Sequence, residues 1–201
     1  MYVRLFSKIL VLWLLSISVV FAQHESDPAN IVLQVTTDVL EAVKTHKDQY
    51  EEDPASYFQA IDEALGSNVN FERMAYLVMD ATYYRASTVE QRERFVAAFK
   101  TSLVETYSRG LLAAGEPEFQ VMPIDAAEGA QTVTVRQELV DGSFAMDLDY
   151  SMRREPDGRW LLVNVVIDGI NLGSTFRNQF AQSARRYNGD LDQVIDSWSS
   201  N

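Results

Sequence analysis

From Ser143 to Arg154 the chain alternates without a break. Phe144, Met146, Leu148, Tyr150 and Met152 are large and apolar, and the residues between them are small, acidic, hydroxylated or basic. A period of two predicts a strand with one dry and one wet face. Three further strands are predicted at 118–124 (EFQVMPI), 131–140 (QTVTVRQELV) and 159–168 (RWLLVNVVID). Asp141-Gly142 and Glu155-Pro156-Asp157-Gly158 supply turn chemistry for two hairpins. The last strand is apolar on both sides, with Leu161, Val163, Val165 and Ile167 on one and Trp160, Leu162 and Val166 on the other. That pattern predicts a central or doubly covered strand.

Before the strands the period is helical. After Pro28, the residues Val32, Val35, Val39, Ala42 and Val43 form one stripe. Asp53-Pro54 reads as a cap followed by a first-turn proline, opening PASYFQAIDEAL. A turn at Gly66-Ser67-Asn68 leads into a short apolar helix, FERMAYLVM. Thr88 and Gln91 have the spacing of a capping box. The helix they open carries Phe95, Phe99, Leu103, Tyr107 and Leu111, each four residues from the last. Gly115-Glu116-Pro117 closes this half. Two amphipathic helices follow the strands, marked by Leu172, Phe176, Phe180 and Tyr187, then by Leu191, Val194, Ile195 and Trp198. Helices, an antiparallel four-stranded meander and helices again predict an α+β domain, with no repeat or linker to divide it.

Residues 1–22 are expected to be a cleaved signal peptide. Arg4 and Lys8 precede an apolar run of about 13 residues, too short to span a bilayer comfortably, and Ala22 ends it. The mature chain is then expected to be a secreted single domain at 23–201. Without Arg4 and Lys8, 15 basic residues face 29 acidic ones, a net charge of −14 against −12 for the whole chain. Such a balance disfavours nucleic acid and stable insertion into, or adsorption on, anionic membranes. There is no cysteine, which removes disulfide, thiolate and Cys-metal chemistry.

Catalytic and metal candidates are sparse. The two histidines are His24, near the expected mature terminus, and His46, in a charged helix end. No HExxH, EF-hand or phosphate-loop pattern is present. Asp147 and Asp149 alternate onto the wet side of their strand, and Asp168 precedes Gly169 at a strand end where a turn role is expected. An acid/base enzyme on a cone-shaped pocket fold would rest on Asp168 or Tyr150. A periplasmic interaction module with a filled core is the third reading. Periodicity alone leaves a closed core and a lined cavity both open, although methionine among the apolar positions suits adaptable contacts.

The run NFERMAYLVMDATYYRASTVEQRERFVAAFKTSLVETYSRGL carries a more specific signal. Phe71 and Met74, the pair Tyr83-Tyr84, Thr88 with Gln91-Arg92, and Thr106-Tyr107 follow in order. A second block, WLLVNVVIDGINLGSTFRNQF, contributes Trp160, Val163, Ile167, Gly169, Leu172, Arg177 and Phe180. Together they resemble MlaC, the toluene-tolerance family of periplasmic phospholipid carriers, over nearly all of the mature chain. The chain departs from the family pattern at Asn164 and Asp168, where acidic and glutamate residues are usual, and at Ala81 and Val89, for glycine and proline.

The resemblance implies a cone-like fold of the nuclear-transport-factor type, in which a curved four-stranded antiparallel sheet and the terminal helices enclose an apolar cavity. It implies bound phospholipid as cargo, with no cofactor, no metal and no enzymatic step. The implied partners are an outer-membrane lipoprotein complex and an inner-membrane ATP-driven transporter, with the carrier itself a monomer. The residues expected to line the cavity are Met74, Leu77, Val78, Tyr83, Phe95, Phe99, Leu103, Tyr107, Val133, Val135, Phe144, Met146, Leu148, Tyr150, Val163, Val165 and Ile167. Arg85, Arg177 and Arg185 are weaker candidates for a head-group phosphate.

Overall fold

The computed structural model describes residues 27–112, 117–122, 127, 129–141 and 144–198, with Asp141 and Phe144 described by backbone alone. The expected signal peptide and the tips at 115–116 and 142–143 lie outside these residues. Among the described residues, six α-helices and five strands follow the anticipated order, with one short strand more than expected. Helix α1 (Pro28–His46) is capped by Asp27, whose carboxylate accepts from Ala29 N at 3.0 Å. Helix α2 (Pro54–Leu65) is capped by Asp53, accepting from Ser56 N at 3.1 Å. The capping box opening α4 (Val89–Leu112) is reciprocal: Thr88 N donates to Gln91 Oε1 at 3.0 Å, and Gln91 N to Thr88 Oγ1 at 3.1 Å.

Helix α3 (Phe71–Ala86) runs further than its apolar stretch suggested, because the chain breaks at Asp80 instead of ending there. Asp80 sits at φ 62° and ψ 160°, a region close to glycine-only. Beside the break, Arg177 Nε of α5 (Leu172–Arg186) donates to the Leu77 carbonyl at 2.9 Å. A buried or half-buried carbonyl that loses its helical donor needs another. The bond from Arg177 ties α5 to the helix break.

The strands β1 (Glu118–Val121), β2 (Thr132–Asp141), β3 (Phe144–Arg154) and β4 (Trp160–Ile167) are those predicted. A two-residue β5 (Ile170–Asn171) makes the sheet five-stranded, in the order β1-β2-β3-β4-β5 and antiparallel throughout. Between β3 and β4 the register shifts: Ser151 faces Asn164, but Met152 faces Leu162. Val163 is the extra residue of a bulge, so the side-chain phase changes across it. Trp160 and Leu162 therefore share a face with Val165 and Ile167, which corrects the partition read from strict alternation.

Three cores hold the domain. The largest joins α3, α4, α5 and α6 (Leu191–Trp198) around Met79, Phe95, Phe99, Phe180 and Trp198. Its rings interlock: Phe95 lies 5.0 Å from Phe180 and 5.4 Å from Trp198, and Phe99 lies 5.7 Å from Trp198. The second core sets Val32 of α1 against Val133, Val135, Met152 and Trp160 of the sheet. The third packs Val43 of α1 with Tyr57 and Ile61 of α2 and Val104 of α4. Helix α1 thus bridges from the sheet to the α2–α4 pair.

Replacing Asp80 by glycine should relieve the strained dihedral at the cost of chain entropy and the Thr82 contact, for a net gain of about 1 kcal/mol. Urea unfolding of the two proteins measures it.

Candidate functional site

The alternation seen from Ser143 to Arg154 is realised as two unlike faces. On the wet face, Arg136 grips Asp149 through two bonds, Nε to Oδ1 at 2.8 Å and Nη2 to Oδ2 at 3.1 Å. The bond to Arg136 holds the Asp149 carboxyl below its ordinary range. Asp147 is exposed on the same side. On the dry face, Val133, Val135, Gln137 and Leu139 of β2 stand level with Met152, Tyr150, Leu148 and Met146 of β3. Leu162, Val165 and Ile167 of β4 continue those rows.

Helix α1 covers only one end of that dry face, where Val133, Val135 and Met152 are buried. Towards the other end exposure rises: Gln137 is 0 % and Leu148 8 % exposed, while Leu139 and Met146 are half-buried. Among the described residues, Leu139, Met146, Leu148, Val165 and Ile167 belong to none of the three cores. Tyr107 of α4 is 38 % exposed, yet burial raises its phenol pKa. Leu111 and Leu112, at the same end of α4, pack at the margin of the third core.

The residues expected to line a cavity divide between two places. Met74, Val78, Phe95 and Phe99 are buried in the helical core, with Tyr83 and Leu103 packed against it. Phe95 and Phe99 have no exposed surface left. Leu77 is half-buried beside the break in α3. Val133, Val135 and Tyr150 lie at the covered end of the sheet, and Val163 is the bulged residue. Met146, Leu148, Val165 and Ile167 share the dry face outside the three cores, Leu148 buried and the others half-buried, with Val165 level with Tyr150; the Phe144 side chain lies outside the described residues. Leu139, not among the expected residues, joins them. Its signal was available in the alternation of QTVTVRQELV.

One polar residue interrupts this face. Gln137 is wholly buried, accepting from the Tyr150 hydroxyl at 2.8 Å and donating from Nε2 to Thr36 Oγ1 of α1 at 3.1 Å. Burial pushes the Tyr150 phenol up to about 12, so it neither gains nor loses a proton readily near neutrality. Asp168 is an exposed turn residue at φ 46°, its Oδ1 accepting from Asp147 N at 2.9 Å. Neither arrangement favours acid/base chemistry. Among the described residues, no three His, Cys, Asp or Glu side chains are grouped to hold a metal ion.

Surface concavities lined by described residues lie among the helices. One, of about 850 Å³, is an open polar groove between α5 and α6, with Gln179, Gln182, Arg186 and Gln193 on its walls. Another, of about 200 Å³, lies between α2 and α4 beside the ion pair of Lys100 with Asp62, 2.7 Å apart.

The model of the MlaC protein family matches residues 33–200. The chain belongs to the MlaC family. The toluene tolerance protein ttg2D of Pseudomonas putida is 31 % identical over 172 residues, covering 86 % of this chain and 80 % of that protein. The fold is shared with a phospholipid-binding protein from Ralstonia solanacearum, solved in complex with a phospholipid. The TM-score is 0.79 at 24 % identity, over 87 % of this chain and 96 % of that one. The resemblance carried by the two sequence blocks is borne out by the family match. Among the described residues, no helix is long and apolar enough to cross a membrane.

Alkaline pH should unfold the protein through its buried phenols. Burial, with the charge of Tyr50 as a smaller cause, pushes Tyr57 from 10.0 to about 12, and burial does the same for Tyr150. The folded state holds these protons more tightly than the unfolded chain. Stability is therefore full below pH 10.0 and falls as pH rises towards about 12. Tyr57→Phe, although it loses the 2.7 Å bond to the Ser108 carbonyl, should flatten that decline in urea titrations across the window.

Proposed function

We propose that this protein is a periplasmic phospholipid carrier that holds acyl chains against the uncovered dry face of its sheet and leaves the head group in water. The single observation that carries this reading is the gradient of exposure along β2 and β3. It runs from Gln137 and Leu148, which stand level and are buried, to the half-buried Leu139 and Met146 one row further out. The partners of the expected lining in the helical core are other rings of the protein, so Phe95 and Phe99 contribute stiffness and not contact with lipid. The family, and the phospholipid held by the Ralstonia solanacearum protein, support the same ligand.

The mechanism needs no covalent step. Burying a methylene gains about 0.8 kcal/mol, so two chains of ordinary length amount to roughly 20 kcal/mol relative to water. A bilayer offers the same refuge, and the difference between pocket and membrane is small. The carrier suppresses escape into water without setting a direction. Direction comes from partners at each membrane, an outer-membrane lipoprotein complex and an inner-membrane ATP-driven transporter. Residues 1–22 direct export and are cleaved, leaving 23–201 as a monomeric single domain. With a net charge of −14 in that segment, delivery proceeds through docking proteins and not by adsorption to anionic lipid.

Organic extraction and mass spectrometry of the purified protein should find diacyl phospholipid. A small polar metabolite in its place would favour an enzyme, and nothing at all an interaction module. Leu148→Asp puts a carboxylate on the apolar wall and should cut bound lipid by at least about tenfold. Met146→Asp, at a half-buried position, is the milder version. Undiminished lipid in both folded variants would remove this face from the site.

A further inference from the structure

Gln137 stands at a boundary. On one side of it along β2, Val133 and Val135 are sealed into the core with Val32, Met152 and Trp160. On the other side, Leu139 opens towards the rim. Leu148 and Ile167 stand level with Gln137 across β3 and β4. The amide side chain therefore lies where the uncovered apolar face ends and the cover of α1 begins. It is also the means by which α1 is fastened there, since its Nε2 donates to Thr36 Oγ1 at 3.1 Å while its Oε1 accepts from Tyr150 at 2.8 Å.

This linkage is closed on itself. A hydrocarbon chain sliding inward from the rim meets an amide and two hydroxyls whose bonds run to one another, and it offers them nothing in return. To go further it must part α1 from β2 and strip the amide of its partners. That penalty is equivalent to the gain from burying roughly two to four methylenes. A chain that stops short of Gln137 pays nothing. We propose that Thr36, Gln137 and Tyr150 form the inner stop of the acyl compartment and so set the length of the chains that the protein selects. The inference rests on the carrier reading above and makes Gln137 a determinant of specificity within it.

The test offers the mature protein vesicles containing equal amounts of dilauroyl, dimyristoyl, dipalmitoyl and distearoyl phosphatidylglycerol. The protein is then recovered, and the bound species are quantified by mass spectrometry. In Gln137→Leu, the mean length of the bound chains should rise by about two to four carbons, with the lipid-to-protein ratio unchanged. If that variant does not fold, Gln137→Met, unbranched and adaptable, serves the same comparison. An unshifted distribution in a folded variant overturns the proposal. So does loss of lipid from a folded variant, which would assign the amide to the polar glycerol-ester portion of the ligand. A wild-type protein that takes up no lipid would overturn the carrier reading itself.

Discussion

Alternation along β2 and β3 forces every second side chain to one side of the sheet, so the area of its dry face is set before any helix packs on it. A face of that kind must be covered by the protein or by something else. Here the cover is incomplete. Helix α1 seals the end bearing Val133, Val135, Met152 and Trp160, then runs on to meet α2 and α4. Helices α3, α4, α5 and α6 spend their aromatic side chains on one another. Leu139, Met146, Leu148, Val165 and Ile167 are left outside all three cores.

That division of labour separates rigidity from reception. Stacked and edge-on rings among Phe95, Phe99, Phe176, Phe180 and Trp198 give one end of the molecule a dense interior. The other end has softer walls, with methionine and partly exposed aliphatic side chains that can conform to flexible chains. The break in α3 at Asp80, with Arg177 bound to Leu77 O, anchors α5 to α3 on the rigid side. Nothing in this arrangement demands a reactive group. Binding through hydrocarbon burial alone fits a protein whose task is to hold a lipid and release it unaltered.

Much of this was legible in the sequence because it depends on local chemistry. The capping box at Thr88 and Gln91, the aspartate cap before Pro54, and the alternating strands are all short-range devices. The two blocks resembling MlaC identified the family for the same reason, as runs of specific residues. What escaped depended on pairing between distant segments. The bulge at Val163 exists only in register with β3, and it reversed the assumed phase of Trp160 and Leu162. The stripe from Phe95 to Tyr107 was correctly apolar, but periodicity could not say that its first half would meet Phe180 and Trp198. Gln137 carries no local signal of its role, since its partner Thr36 lies 101 positions away.

The account places hydrocarbon beside the sheet and keeps it out of the helical core, and the methionine methyl groups are well placed to report this. Met146 lies on the uncovered dry face, whereas Met74 and Met79 are buried among α3, α4 and α5. Methyl NMR of protein loaded with a phospholipid carrying a nitroxide on its acyl chain reads both positions at once. Selective broadening of Met146, with Met74 and Met79 left sharp, is the predicted result. Broadening of Met74 and Met79 with Met146 unaffected would put the lipid inside the helical bundle and contradict the account.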